Sequence, residues 1–253
     1  MRILVTNDDG FHAPGIAVLR KIAASLSDDV WVVAPETEQS CAAHSLSLRR
    51  PLRIREQGPK QYTVDGTPTD AVLVAVKEII KDKRPDLLLS GINRGSNLGE
   101  DVTYSGTVAA AMEGTLFEIP SIAFSQSISP NTPVEWGNGE RYGKAIIRQL
   151  LEEKIPGNTL ININFPNVSP DKVKGVVVAA QGKRKLGDNV YKHLDPEGNP
   201  YYWIGPVRNL DKDPPDSDLA AVTQGYISMT PICLDLTDYK VLERYKGKFN
   251  REF

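Results

Sequence analysis

Apolar runs of four or five residues recur along this chain, and between them apolar residues return every three or four positions. A run without polar alternation has to be covered on both faces, as strands of a parallel sheet are. The segments between such runs carry a single apolar stripe, which is the cover a helix supplies. On that pattern residues 2–6 (RILVT), 30–34 (VWVVA), 86–90 (DLLLS), 121–124 (SIAF) and 160–164 (LININ) read as strands. Residues 14–26, with Ile16, Leu19, Ile22, Ala23 and Leu26 at helical spacing, read as a helix, as do 68–81, 107–117 and 140–153. Thr67, Pro68 and Asp70 form the start of a capped helix, with Thr67 as N-cap, Pro at the first turn and Asp70 closing a capping box. The expectation is a three-layer α/β core with a mostly parallel sheet.

After about residue 173 the character changes. Residues 174–180 and 201–204 look like strands on either side of a long polar excursion, LGDNVYKHLDPEGNP, the pattern of a projecting hairpin arm. Residues 211–218 (DKDPPDSD) read as a loop, 225–231 as a strand and 239–249 as a charged terminal helix. No stretch has the composition of a linker. A single domain over 1–253 is therefore expected, with the core over about 1–180 and the arm and C-terminal segment over about 181–253. A chain of 253 residues buries roughly 70–75% of its unfolded surface, enough for a large core.

With 30 basic and 32 acidic residues the chain lacks the excess of cations that phosphate-tracking proteins carry, although Lys183, Arg184 and Lys185 make a local basic patch. No stable nucleic-acid partner is expected. The longest apolar stretches, 71–76 and 176–180, fall far short of the roughly 20 residues of a membrane span, and the polar NDDG interrupts the first apolar run too early for a signal peptide. Two cysteines, Cys41 and Cys233, provide neither a disulfide framework nor a zinc spacing. A cytoplasmic setting without membrane attachment is the expectation.

In a doubly wound sheet the ligand site lies beyond the carboxyl ends of the strands, and the unusual polar residues of this chain sit there. Asp8 and Asp9 follow the first strand, ETEQSCAAHS follows the second, GINRGSNLG follows the strand ending at Ser90, and YSGT opens the next helix. Adjacent aspartates repel each other, and a hard divalent cation, which prefers oxygen ligands, removes the conflict. The plainer alternative is an Asp-Gly turn in which one Asp caps a helix. The spacing does not fit phosphatases with a nucleophilic aspartate two residues from its partner, because here the two are adjacent. GINRGSNLGE offers amide groups at Asn93 and Asn97 but no dinucleotide fingerprint and no P-loop lysine. The hydroxyls and N–H groups of YSGT at a helix start make an anion site, with an ordinary N-cap as the alternative. Cys41 lacks the arginine a cysteine phosphatase needs, since Ser47 occupies that place. His12, His44 and His193 are scattered, and no serine lies in a GxSxG elbow.

Taken together, VTNDDGFHAPGI, VVAPETEQSCAAHS, DGTPTDAV, LLSGINRGSNLGEDVTYSGTVAAAMEG and GYISMTPICLDLT resemble the SurE (survival protein E) family of nucleotidases along essentially the whole chain. The resemblance implies a Rossmann-like core and a phosphomonoesterase acting on nucleoside monophosphates with one divalent cation, Mg²⁺ or Mn²⁺, per subunit. It implies Asp8, Asp9, Ser40 and Asn93 as metal ligands, with Asp8 also acting in catalysis by orienting the attacking water. Asn97, Ser105, Gly106 and Thr107 are expected to cradle the phosphate. It further implies dimers or tetramers formed through the C-terminal segment. Cys41, Ala42 and Gln39 depart from the family's usual residues, Gln39 standing where a basic side chain is common. A metal- and nucleotide-binding regulator without turnover is the competing class, and a Rossmann oxidoreductase is disfavoured by the missing fingerprint. The preferred base, the choice of 5′ or 3′ phosphate, activity on polyphosphate and the identity of the general acid stay open at this level.

Overall fold

The computed structural model describes residues 1–183, 189–205 and 214–250. Its elements run β1 (Arg2–Thr6), α1 (Pro14–Ala24), β2 (Asp29–Pro35), β3 (Ile54–Gly58), β4 (Gln61–Val64), α2 (Pro68–Val74), β5 (Leu87–Arg94) and α3 (Gly106–Leu116). They continue with β6 (Ser121–Gln126), α4 (Gly137–Glu153), β7 (Thr159–Phe165), β8 (Val176–Val178), β9 (Val190–Leu194), β10 (Pro200–Ile204), α5 (Asp218–Thr223), β11 (Ile227–Cys233) and α6 (Tyr239–Phe249).

Nine strands form one sheet in the order β3-β4-β2-β1-β5-β6-β7-β11-β8. The block from β4 to β7 is parallel throughout, so both of its faces need cover. One face is covered by α1 and α4, around Leu19, Ile22, Ile146, Phe124 and Phe165. The other is covered by α2 and α3, around Val72, Ala75, Val108, Ala111 and Leu88. The small residues of α3 let it lie close to the sheet: a Cβ on Gly114 would sit 2.5 Å from Ser121 Oγ and 2.7 Å from Leu88 Cδ1.

The chain order reverses at β1, with β2 on one side and β5 on the other. Such a reversal opens a crevice at the carboxyl ends of the two central strands. Loops after β1, β2 and β5 and the start of α3 meet over it. The expected α/β architecture with a mostly parallel sheet and a hairpin is therefore present.

Several boundaries differ from the sequence reading for identifiable reasons. Thr67 and Asp70 do form the capping box, but α2 gives way at Ala75–Ile79 to a wider π-type turn, so the regular helix is half the expected length. Neither β3 nor β4 has an apolar run: β3 is an exposed edge strand that offers polar side chains to water, while β4, between β3 and β2, buries only Thr63 and Val64. The projecting hairpin pairs β9 with β10, and not residues 174–180 with 201–204. Val176–Val178 is instead an edge strand of the main sheet, parallel to β11. Ile227–Cys233 also lies inside that sheet, antiparallel to β7. Of the basic patch, Lys183 is described, while Arg184 and Lys185 fall outside the described residues, as do residues 211–213 of the 211–218 loop. No helix among the described residues is long and apolar enough to cross a membrane.

Candidate active site

Leaving β1, the chain turns at once. Asn7 Nδ2 donates to Gly10 O (2.8 Å), closing the turn around the two aspartates. Gly10 holds φ at +96°, and a Cβ there would lie 3.1 Å from the Thr37 carbonyl carbon, so the turn also needs glycine to pass under the β2 loop. Two backbone hydrogen bonds tie those loops together: Phe11 N to Pro35 O (2.9 Å) and Gln39 N to Asp8 O (2.7 Å).

Asp8 is 4% exposed and lies against the start of α3. Thr107 Oγ1 donates to Asp8 Oδ1 at 2.5 Å, joining residues 99 positions apart. Burial pushes the Asp8 carboxyl up to about 7; the Thr107 hydroxyl pulls the other way and the Asp9 charge adds to the rise. Asp9 is also raised, first by burial, although its Oδ2 accepts from Arg94 N (2.8 Å). Neither carboxylate makes an ion pair among the described residues, a costly arrangement for two adjacent anions.

β5 continues past Ser90 through GINR, which the sequence reading treated as loop. The register slips between Ser90 and Asn93, at Gly91, where φ is +126° and a Cβ would strike Phe124 O at 2.3 Å. That irregularity presents Asn93 at the strand end. Its Nδ2 donates to Gly95 O (2.9 Å), which leaves the amide oxygen as an acceptor for a ligand. Ser40 is exposed on the β2 loop and donates to Glu38 Oε1 (2.7 Å), keeping its lone pairs available.

Asp8, Ser40, Asn93, Asn97 and Ser105 line one cavity of about 310 Å³. Asp9 opens instead into a neighbouring cavity of about 300 Å³ that shares Ser40 and Arg94 with the first. Gly106 and Thr107 stand behind Asp8, fully or nearly fully buried. The Thr107 hydroxyl is committed to Asp8 and its backbone N–H also acts on that carboxyl, so Thr107 could turn to a substrate anion only with that N–H. Ser105 caps α3 by accepting from Val108 N (3.1 Å), and its own hydroxyl hydrogen is free to donate. A larger cavity of about 700 Å³ lies elsewhere, walled by Val102, Met112, Leu116, Val178, Ile232 and Leu234. It is apolar and holds none of the eight expected site residues, so volume and chemistry point to different places; the carboxylates and amides decide for the smaller.

The donors gathered over the crevice are all oxygens: two carboxylates, one amide and one hydroxyl. That set fits a hard divalent cation and no soft one. Among the described residues no three His, Cys, Asp or Glu side chains come together as an alternative metal site.

Comparison with known proteins gives the family. The model of the family described as "Survival protein SurE" matches residues 3–188. A protein of Paramagnetospirillum magneticum named 5'-nucleotidase SurE is 56% identical over 246 residues, covering 96% of this chain and 95% of its own. The chain belongs to the SurE family. A Bradyrhizobium sp. protein of the same name is 52% identical, with 98% of each chain covered. The crystal structure of the SurE protein from Aquifex aeolicus superposes with a TM-score of 0.86 at 44% identity, over 98% of this chain and 99% of that one.

In this SurE chain the supporting residues were harder to foresee than the candidate ligands. Asn97 is held from below: its backbone N donates to Asn164 Oδ1 (2.8 Å), its carbonyl accepts from Asn162 Nδ2 (2.8 Å) and Asn164 Nδ2 (3.1 Å), and its Nδ2 donates to Ser125 Oγ (2.8 Å). The signal was present as asparagine at alternate positions of a buried strand, NIN. Asp218, fully buried, accepts from Gly99 N and Gly182 N (both 2.9 Å) and so anchors the loop beyond Asn97 to α5. Nothing in DKDPPDSD singles that aspartate out.

The raised Asp8 carboxyl has a consequence for the metal-free protein. An acid whose pKa rises from 3.8 unfolded to about 7 folded stabilises the fold fully below pH 3.8, and that contribution is lost as pH climbs through about 7. Melts in the presence of chelator are expected to show the parent losing as much as about 4 kcal/mol relative to Asp8→Asn between pH 4 and pH 8. Parallel stability curves for the two proteins would mean that this carboxyl is not held neutral by burial.

Proposed function

We propose that this chain is a divalent-metal-dependent phosphomonoesterase that hydrolyses nucleoside 5′-monophosphates to nucleoside and phosphate. The observation that carries the reading is the buried Asp8 carboxyl at the start of α3, hydrogen-bonded by Thr107 but with no ion-pair partner among the described residues, beside a cavity lined by Ser40, Asn93, Asn97 and Ser105. The names of the SurE relatives support the substrate class.

Asp8, Asp9, Ser40 and Asn93 would hold the cation, Mg²⁺ or Mn²⁺, one per subunit. Once bound, such an ion polarises a phosphoryl oxygen and makes a coordinated water a better nucleophile at neutral pH. The remaining work falls to the chain. Ser105 Oγ, the Gly106 and Thr107 N–H groups and the second Nδ2 hydrogen of Asn97 would fix the phosphate in the positive field at the α3 N-terminus. Thr107 Oγ1 holds the Asp8 carboxylate in one rotamer, leaving its other oxygen to orient the water. The network under Asn97 keeps that side chain from drifting with its loop. Turnover of adenosine 5′-monophosphate with Mn²⁺ is expected, falling to background with excess chelator and returning on re-addition of metal. Metal-dependent nucleotide binding without hydrolysis would favour the regulator instead.

The same reading places the chain in the cytoplasm and gives it a second copy as partner. β9 and β10 are exposed along their whole length and present Tyr191, Leu194, Tyr202, Trp203 and Ile204 to solvent. So much apolar side chain on a two-stranded arm needs a partner surface. Replacing residues 190–204 with a short turn is expected to give monomers. Light scattering that still finds the parent assembly would refute the arm as the contact.

A further inference from the structure

The cavity over Asp8 has a polar floor, and its exposed rim carries two large side chains, Tyr104 and Ile128, beside Ser40, Cys41 and Arg94. Tyr104 and Ile128, each 43% exposed, line it together with Ser105 and Asn97. Tyr104 immediately precedes the α3 cap, and its backbone is fixed on both sides: its N–H donates to Asp101 O (2.9 Å) and its carbonyl accepts from Ala43 N (3.1 Å). Ile128 stands just past the end of β6, where Ser127 N donates to Phe165 O (2.9 Å). Neither side chain contributes to the two core clusters. Two large apolar groups are thus held in water by anchored backbone, at the rim of the one cavity that carries the phosphate donors.

We propose that Tyr104 and Ile128 form a clamp that takes the substrate's nucleobase while its phosphate lies on Ser105 and the α3 N-terminus. The proposal rests on the phosphatase reading above and adds the determinant of nucleoside recognition to it. The cavity, at about 310 Å³, is at the small end of the roughly 300–1,000 Å³ range of ligand sites. A phosphate and ribose account for much of that space, which puts the base at the mouth, between the two exposed side chains. Recognition there works through the flat face of the ring and not through its hydrogen-bonding edge, so every base is accepted and purines, with more face to cover, bind more tightly than pyrimidines. A competing place for the base is the neighbouring cavity, where Trp136 lines the wall beside Asp9 and Glu38. That cavity holds none of the phosphate donors, and its basic side chain, Arg94, also lines the first, so a phosphate on Ser105 leaves Tyr104 and Ile128 nearer the base than Trp136.

The test compares adenosine 5′-monophosphate with ribose 5-phosphate, which keeps the phosphate and sugar and lacks the base. Dissociation constants come from calorimetry with chelator present to stop turnover, and kcat/KM from assays with Mn²⁺. Alanine substitution of stacking aromatics costs about 5- to 150-fold per base. In Tyr104→Ala the preference for the nucleotide over ribose 5-phosphate is expected to fall by that factor, through KM and not kcat. Ile128→Ala should lower it less, and Tyr104→Phe, which keeps the ring, should restore the parent preference. Equal losses on both ligands, an unchanged preference in Tyr104→Ala, or a drop that appears in Trp136→Ala instead would overturn the clamp. A parent that hydrolyses neither compound defeats the phosphatase reading, and the calorimetric preference then decides the clamp by itself.

Discussion

Replacing Asp8 with Asn is expected to lower nucleotide turnover by at least about 10²-fold while leaving the metal-free protein as stable as the parent or more so. A ligand role and a purely structural one predict different outcomes. The structural role is not that of a cap, since Ala13 stands at the N-cap of α1 and Ser105 at that of α3, but that of an acceptor for Thr107; there Asn serves about as well as Asp, so turnover, metal affinity and stability would all stay near parental values. As a ligand, Asp8 contributes a full negative charge to an ion that supplies several kcal/mol to the transition state, and Asn contributes one neutral oxygen. Without metal the charge is a burden, because the carboxyl is 4% exposed and its neighbour Asp9 is also ionisable. The variant therefore sheds a destabilising charge and gains less from added Mn²⁺. Metal titration by calorimetry, melts with and without Mn²⁺, and one rate measurement separate the cases. Parental affinity and rate in Asp8→Asn would exclude this carboxylate as a ligand.

The second large effect is expected from a single methyl group at Gly106. By helix propensity Gly→Ala is stabilising, by less than about 1 kcal/mol at a first-turn position. The packing opposes it. A Cβ at 106 would lie 2.8 Å from Asp8 Cβ, 3.0 Å from Pro68 Cγ and 3.1 Å from Asp8 Oδ2. Neither neighbour is the loose end of a flexible chain: Pro68 is locked in the first turn of α2, and Asp8 is buried and bound to Thr107. Overpacking of this kind costs about 1–3 kcal/mol, which exceeds the propensity gain. Relief comes most easily by displacing Asp8, and a shift of about 1 Å at a reacting centre is enough for a roughly 10²-fold loss of rate. Gly106→Ala is expected to melt lower than the parent and to lose about 10²-fold in Mn²⁺-dependent turnover. A variant that melts higher and turns over normally would show that the two elements are not packed this closely.

Gly106 also shows where sequence reasoning assigns the right residue a different role. YSGT was legible as an anion site because hydroxyls and glycine at a helix start announce one. In the folded chain the anion nearest that helix start is the protein's own Asp8, received by Thr107, and Gly106 is needed as clearance for it. Ser105 keeps the expected cap and cavity position.

Whatever is written in local periodicity or in bonds between near neighbours was readable from the residues alone. Continuous apolar runs demanded a sheet covered on both faces, Thr67 and Asp70 specified a capping box, and NDDG placed two carboxylates beyond the first strand. Those features involve residues within a few positions of one another, so their energetics can be read without knowing the rest of the fold. The tertiary structure decided which distant segments meet. It inserted Ile227–Cys233 antiparallel beside β7, made an edge strand of Val176–Val178, and set Asn162 and Asn164 under Asn97. It also brought Thr107 onto Asp8 and Asp218 onto Gly99. Each of these contacts joins residues roughly fifty or more positions apart in the chain. A buried hydrogen bond of that kind leaves no periodic trace in the chain, because its partner is selected only when the sheet order has brought the two strand ends together.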